Sequence, residues 1–155
     1  MDINIGLDAS VRKQIADGLK LVLADSYMLY VKTHCFHWNV TGPMFETLHL
    51  LFDAEYNDIW LALDEIAERI RALGFYAPMG ALDFAKGSKI QDENTVPKAE
   101  EMIKKLVMGH EQVIRIAREV AKVATEANDD ATIDLLTRRI AIHEKNAWML
   151  RSLVA

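Results

Sequence analysis

Apolar residues recur along this chain at steps of three and four over long segments, the period of amphipathic helices, and no segment is β-rich. A first helix is predicted from about Asp8, placed as its N-cap, to about Trp38, with Ile15, Leu19, Val22, Leu29 and Phe36 on one stripe. "NVTGP" (39–43) breaks it. A second helix starts near Pro43, a residue tolerated in a first helical turn, and ends before Gly74. Its inward seam reads Phe52, Tyr56, Ile59, Leu63, Ile66 and Ile70, alternating steps of four and three as a bundle core does. Residues 74–96, with Gly74, Pro78, Gly80 and Gly87, form a long connection that holds a short helix around Leu82 to Lys86. A third helix follows from about Pro97 to Ala127, and a fourth from about Asp130 to Leu153. The fold predicted for residues 1–155 is a single all-α domain, a four-helix bundle with one long crossover between its second and third long helices.

Composition narrows the function classes. No apolar run approaches the roughly 18 to 20 residues that span a bilayer, and "MDINIGLDAS" lacks the basic start and apolar core of a signal peptide, so the expected location is the cytoplasm. Cys35 is the only cysteine, which leaves no internal disulfide or thiolate cluster and predicts a reduced, partly buried thiol. A net charge of −5 argues against a protein whose main business is coating nucleic acid and favours metal cations as partners.

On the second helix, His49, Asp53, Asp64 and Glu68 lie at roughly 0°, 40°, 60° and 100° around the axis, beside the apolar seam but separate from it. His49 and Asp53 form one pair a turn apart, and Asp64 and Glu68 form another. Eleven residues at about 1.5 Å rise put the pairs roughly 16 Å apart, too far to share one ion within a chain. Two copies of the helix, antiparallel about a twofold axis near residues 58 and 59, would oppose His49 and Asp53 of one chain to Asp64 and Glu68 of the other. Trp60 would sit in that contact as an aromatic anchor. His37, at the end of the first helix, can fold back toward His49 and add an imidazole. Nitrogen and oxygen donors without thiolate suit iron(II), and also zinc or manganese, and bridging carboxylates would allow a second iron. The local alternative is that Asp64 and Glu68 face water or pair with Arg69 and Arg71.

The stretch "HCFHWNVTGPMFETLHLLFDAEYNDIWLALDEIAERIRALG", residues 34–74, resembles the Dps family, the ferritin-like mini-ferritins. The matching pieces are "HWN" with its glycine turn, "LH" with an aspartate four residues on, and an aspartate followed by "AER" and "LG"; "HEKNAWMLRS" (143–152) is similar to the family's fourth helix. The resemblance implies a homo-dodecameric shell whose ferroxidase centres lie between subunits, with His37, His49 and Asp53 from one chain and Asp64 and Glu68 from its neighbour as metal-binding and catalytic residues. It implies oxidation of iron(II) to iron(III), preferably by hydrogen peroxide, and storage of the ferric mineral as protection against oxidative damage. Trp38 would be the family's site-proximal tryptophan, which takes up stray oxidising equivalents, or a packing residue. Asp130 and Asp134 resemble the acidic lining of the threefold pores, with Asp129 a lesser candidate; a helix N-cap is the local alternative.

The competing reading is a nucleoid-compacting DNA binder. Several members of the family use a lysine-rich tail for this, whereas the first ten residues here carry two aspartates and no lysine, so strong DNA binding is not expected. His34 reads as a partner or surface histidine, His110 and His143 stand alone, and His143 is expected at the surface or an interface.

Overall fold

The computed structural model describes residues 2–155 and contains five helices: α1 (Ala9–Asn39), α2 (Phe45–Ala72), α3 (Ala81–Gly87), α4 (Ala99–Glu126) and α5 (Asp130–Ser152). Among the described residues there is no strand. The four long helices and the short one in the crossover stand where the periodicity placed them, with ends shifted by one or two residues. Asp8 takes the N-cap position of α1, but its side chain makes no capping hydrogen bond. Pro43 lies in the turn rather than the helix, because Gly42 turns the backbone at φ +105° and α2 begins only after Phe45 N–H has bonded back to the Gly42 carbonyl.

The predicted stripe of α1 is buried, and Phe52, Ile59, Leu63, Ile66 and Ile70 of the α2 seam join it. α4 contributes Ile103, Leu106, Val113 and Val120 and α5 contributes Leu135, Leu136 and Leu150, so one apolar cluster is drawn from all four long helices. Gly109 lets α4 approach α1 closely, since a Cβ there would stand 2.6 Å from Leu29 Cδ1. α1 and α4 run antiparallel, as do α4 and α5, so the chain must return along the bundle between α2 and α4.

Polar residues fasten that return. Asp25, 2% exposed on α1, accepts hydrogen bonds from Ser88 Oγ (2.7 Å), Lys89 N–H (2.8 Å) and Gln112 Nε2 (2.9 Å), tying the crossover to both α1 and α4. Glu93, further along, bridges Lys32 and Lys105, each at 2.8 Å. A buried carboxylate of this kind is tolerated because its lone pairs are occupied. Cys35 is free and half-buried, with its thiol pushed up by burial, as expected for an unreactive group. Among the described residues no helix is long and apolar enough to cross a membrane.

Candidate metal centre

The turn between α1 and α2 builds the first half of the site. Phe36, Val40 and Leu48 are buried around it, and Val40 N–H bonds to the Phe36 carbonyl (2.9 Å), so the end of one helix is held against the start of the next. His37 and His49 therefore face each other, with ring centroids 3.9 Å apart and planes 17° from parallel. Their hydrogen bonds are reciprocal: His37 Nδ1–H donates to the His49 carbonyl (2.8 Å) and His49 Nδ1–H to the His37 carbonyl (2.9 Å). A ring that donates from Nδ1 carries its free lone pair on Nε2, the atom a cation binds. Two imidazoles are thus fixed in the ligand tautomer by backbone alone.

Asp53, half-buried one turn beyond His49, accepts from the Tyr56 hydroxyl at 2.9 Å. That bond to the carboxylate is the main reason the Tyr56 phenol titrates above its usual range. Tyr56, read in the sequence as a seam residue, is only half-buried, and its polar end serves the site. A tyrosine one turn from an aspartate was the signal available for this role. His34 stacks on Tyr56 (3.8 Å, 13°), and its Nδ1 shares a hydrogen bond with the Tyr30 hydroxyl at 3.2 Å. Burial, then the nearby His37, holds His34 below its ordinary range. Trp38 is 62% exposed and lies against His34, with centroids 4.2 Å apart, so it does not pack in this chain's core.

Asp64 and Glu68 lie far along α2, both exposed and without a hydrogen-bonding partner among the described residues. The arginines that might have neutralised them turn elsewhere. Arg69 bonds Asp129 (2.7 Å) and Thr132 (2.9 Å), while Arg71 reaches the Phe75 carbonyl (2.9 Å) and lies over the Tyr76 ring. Among the described residues no three His, Cys, Asp or Glu side chains of the single chain gather closely enough to hold a metal ion by themselves. Beside Asp64, an apolar cleft of about 450 Å³ is lined by Tyr27, Trp60, Leu61, Ala67, Pro78 and Phe84, and Trp60 and Leu61 are 56% and 72% exposed.

The acidic start of α5 divides its labour. Asp129 is the N-cap, accepting from Thr132 N–H (3.1 Å) and Thr132 Oγ1 (2.6 Å), and is buried by Arg69; these contacts, against the opposing effect of burial, hold its carboxyl below the usual range. Asp129 is structural, which frees Asp130 to face solvent in the first turn. Asp134 is exposed and paired with Arg138 at 2.9 Å, and Arg138 also pairs with Glu65.

The histidines expected to stand alone correct the sequence reading. His110 and His143 are both buried in the bundle centre, with their Nδ1 atoms 2.8 Å apart. His143 is therefore a core residue, not a surface one. His110 Nε2 faces Glu55 at 3.4 Å, His143 Nε2 accepts from Arg139 at 3.3 Å, and Arg139 reaches Asp58 at 2.7 Å. Burial first, then the neighbouring His110 and Arg139, pushes His143 well below its ordinary range and keeps it neutral. A hydrogen bond between two imidazoles 33 residues apart leaves no mark in the local sequence pattern, because each polar residue looks like an isolated break in an apolar stripe.

Comparison with known proteins agrees with this architecture. A family model described as a ferritin-like domain matches residues 16–155. The chain is 34% identical over 142 residues to DNA protection during starvation protein 2 of Bacillus anthracis, covering 92% of this chain and 97% of that one. It is 42% identical to a low temperature-induced protein of Nostoc, covering 98% and 86%. The crystal structure of Dps from Vibrio cholerae, described as a member of a broad superfamily of ferritin-like diiron-carboxylate proteins, superposes with TM-score 0.94 at 29% identity over 100% of this chain and 98% of the other. With a family model spanning most of its length and a Dps relative matched almost end to end, the chain belongs to the ferritin-like proteins, in their Dps family.

Proposed function

We propose that the chain is an iron-oxidising and iron-storing subunit whose ferroxidase centre is completed only between two copies. In this reading α2 packs antiparallel against α2 of a second copy about an axis near residues 58 and 59. His37, His49 and Asp53 of one copy then meet Asp64 and Glu68 of the other. The observation that carries it is the reciprocal bonding of His37 and His49, which commits both Nδ1 atoms to carbonyls and leaves both Nε2 lone pairs free, with Asp53 one turn beyond His49. The exposed, unpaired Asp64 and Glu68 supply the missing anionic donors, and Trp60 and Leu61 supply an apolar face for the contact. Dimers of this kind close into a homo-dodecameric shell that stores the ferric mineral.

The roles follow from donor chemistry. The imidazoles are borderline donors that hold iron(II), the substrate; the three carboxylates favour the higher charge of iron(III) and so lower the cost of oxidation. Hydrogen peroxide is the preferred oxidant, and its removal together with iron(II) limits hydroxyl-radical damage. Zinc or manganese fits the same donors and would compete. Asp130 lines the entry pore together with Asp134, whose charge is partly offset by Arg138. A nucleoid-compacting role is the weaker reading, given a net charge of −5.

Anaerobic loading with iron(II) followed by hydrogen peroxide tests the centre, with wild type beside Asp64→Ala/Glu68→Ala. Rapid formation of iron(III) in wild type and its loss in an intact assembly of the variant is the expected result. Equal rates would make the α2 stripe structural.

A further inference from the structure

Lys105, Met108, Gln112 and Arg115 recur along α4 at steps of three, four and three, so they share one face of the helix. That face, Lys32 of α1 and residues 89–93 of the crossover line an open cleft of about 430 Å³. Its cations are Lys32, Lys89, Lys105 and Arg115 and its carboxylates Glu93 and Glu111, a positive excess in a chain whose net charge is −5. The carboxylates are already engaged. Glu93 accepts from Lys32 through Oε1 and from Lys105 through Oε2, each at 2.8 Å, and Glu111 turns to Arg151 at 2.9 Å. Lys89 and Arg115 have no carboxylate partner among the described residues; Arg115 donates to Gln112 Oε1 at 3.1 Å. An ammonium carries three N–H donors and a guanidinium five, so the cleft holds more donors than its own acceptors use. The Lys32 side chain is only 10% exposed, which leaves its spare donors poorly served by bulk water.

We propose that this cleft between α1, α4 and the crossover is a binding site for a phosphate group, carried by inorganic phosphate or by a small phosphate monoester. The cations are placed before any ligand arrives. Buried Asp25 holds the Lys89 N–H (2.8 Å) and Gln112 Nε2 (2.9 Å), and Gln112 in turn holds Arg115, while Glu93 holds Lys32 and Lys105. Two carboxylates thus fix four cations through direct or single intermediate bonds, which lowers the ordering cost of binding. A phosphate matches them better than a carboxylate does, because it brings three or more acceptor oxygens and up to two negative charges to donors on three separate segments. A concave site of this volume takes a small ligand. Buried Ile90 and exposed Met108 give it an apolar wall for the organic part of a monoester. The cleft shares no residue with the proposed metal centre, so this site stands apart from the ferroxidase reading.

The test is calorimetric titration of the assembled, iron-free protein in chloride buffer, with inorganic phosphate and separately with adenosine monophosphate. Wild type should bind saturably, one ligand per chain, and more weakly as ionic strength rises. Lys89→Gln/Arg115→Gln changes two exposed side chains and should weaken binding at least about tenfold, the scale of one lost charge-assisted hydrogen bond. Lys122→Gln/Lys145→Gln removes the same charge from exposed positions on α4 and α5 outside the cleft and should bind as wild type does. Tighter binding of the monophosphate supports the site with an organic phosphate as its ligand, and equal or tighter binding of inorganic phosphate supports it with the free ion. No saturable binding of either probe, or equal weakening in both variants, overturns the proposal. Plasmid DNA retarded by wild type and released by Lys89→Gln/Arg115→Gln would assign these cations to nucleic acid and overturn it as well.

Discussion

At the scale of single residues, the proposed centre depends on what backbone carbonyls do to two imidazoles. The bonds from His37 and His49 Nδ1 fix tautomer and ring direction at once, a task usually left to separate outer residues. Each histidine supports the other's helix end, so His49→Ala removes a donor atom and also strips the His37 carbonyl of its partner. We expect anaerobic iron(II) titration of His49→Ala to show affinity lowered by at least about 10- to 100-fold, the range seen when even a supporting partner of a ligand is lost. An affinity within a factor of about two of wild type would remove His49 from the ligand set.

At the scale of elements, two polar groups that the apolar pattern conceals hold the bundle together. Asp25 joins α1, α4 and the crossover through three donors, and Asp25→Ala should cost roughly 2–4 kcal/mol in chemical denaturation, because the donors around it lose a charged acceptor without gaining water. A loss below about 0.5 kcal/mol would show that the crossover is held by packing alone. His143 makes stability depend on pH. Its folded-state value lies below the unfolded one of about 6.5, so below that pH the unfolded chain binds the extra proton; stability is full above about 6.5 and falls as pH drops toward the folded value. The denaturation midpoint should therefore decline between about pH 7 and 5 in wild type and decline less in His143→Gln. Parallel curves for the two would assign the slope to other groups. The helices themselves were legible because Ile15, Leu19, Val22 and their counterparts repeat at helical steps, and the stripe proposed to hold the metal could be read because His49, Asp53, Asp64 and Glu68 share one helix. Asp25, Glu55, His110 and His143 were not, since their partners lie on other helices or in the crossover and a polar residue in an apolar stripe looks the same whether it is solvated or satisfied inside. The Nδ1 bonds of His37 and His49 were likewise beyond the pattern, being set by the path of the turn at Val40 and Gly42.

At the scale of the whole molecule, what one chain lacks is as informative as what it holds. Of the five proposed donors, three sit at one end of α2 and two at the other, and among the described residues of one chain no three of them gather closely enough to hold an ion. The proposed shell also bears on nucleic acid: with a net charge of −5 per chain, repulsion from phosphate grows with every copy added, and plasmid DNA should migrate unretarded in a gel shift at physiological salt. Robust retardation would put the nucleoid-compacting reading ahead of the ferroxidase one. The sharing of the centre is tested most directly by co-assembling two inactive variants, His37→Ala/His49→Ala and Asp64→Ala/Glu68→Ala. In a mixed pair, one of the two centres receives both histidines from the second variant and both carboxylates from the first, and is whole. Ferroxidase activity absent from each variant alone should therefore return in the mixed assembly, and a mixed assembly as inactive as its parents would contradict a centre built between two copies.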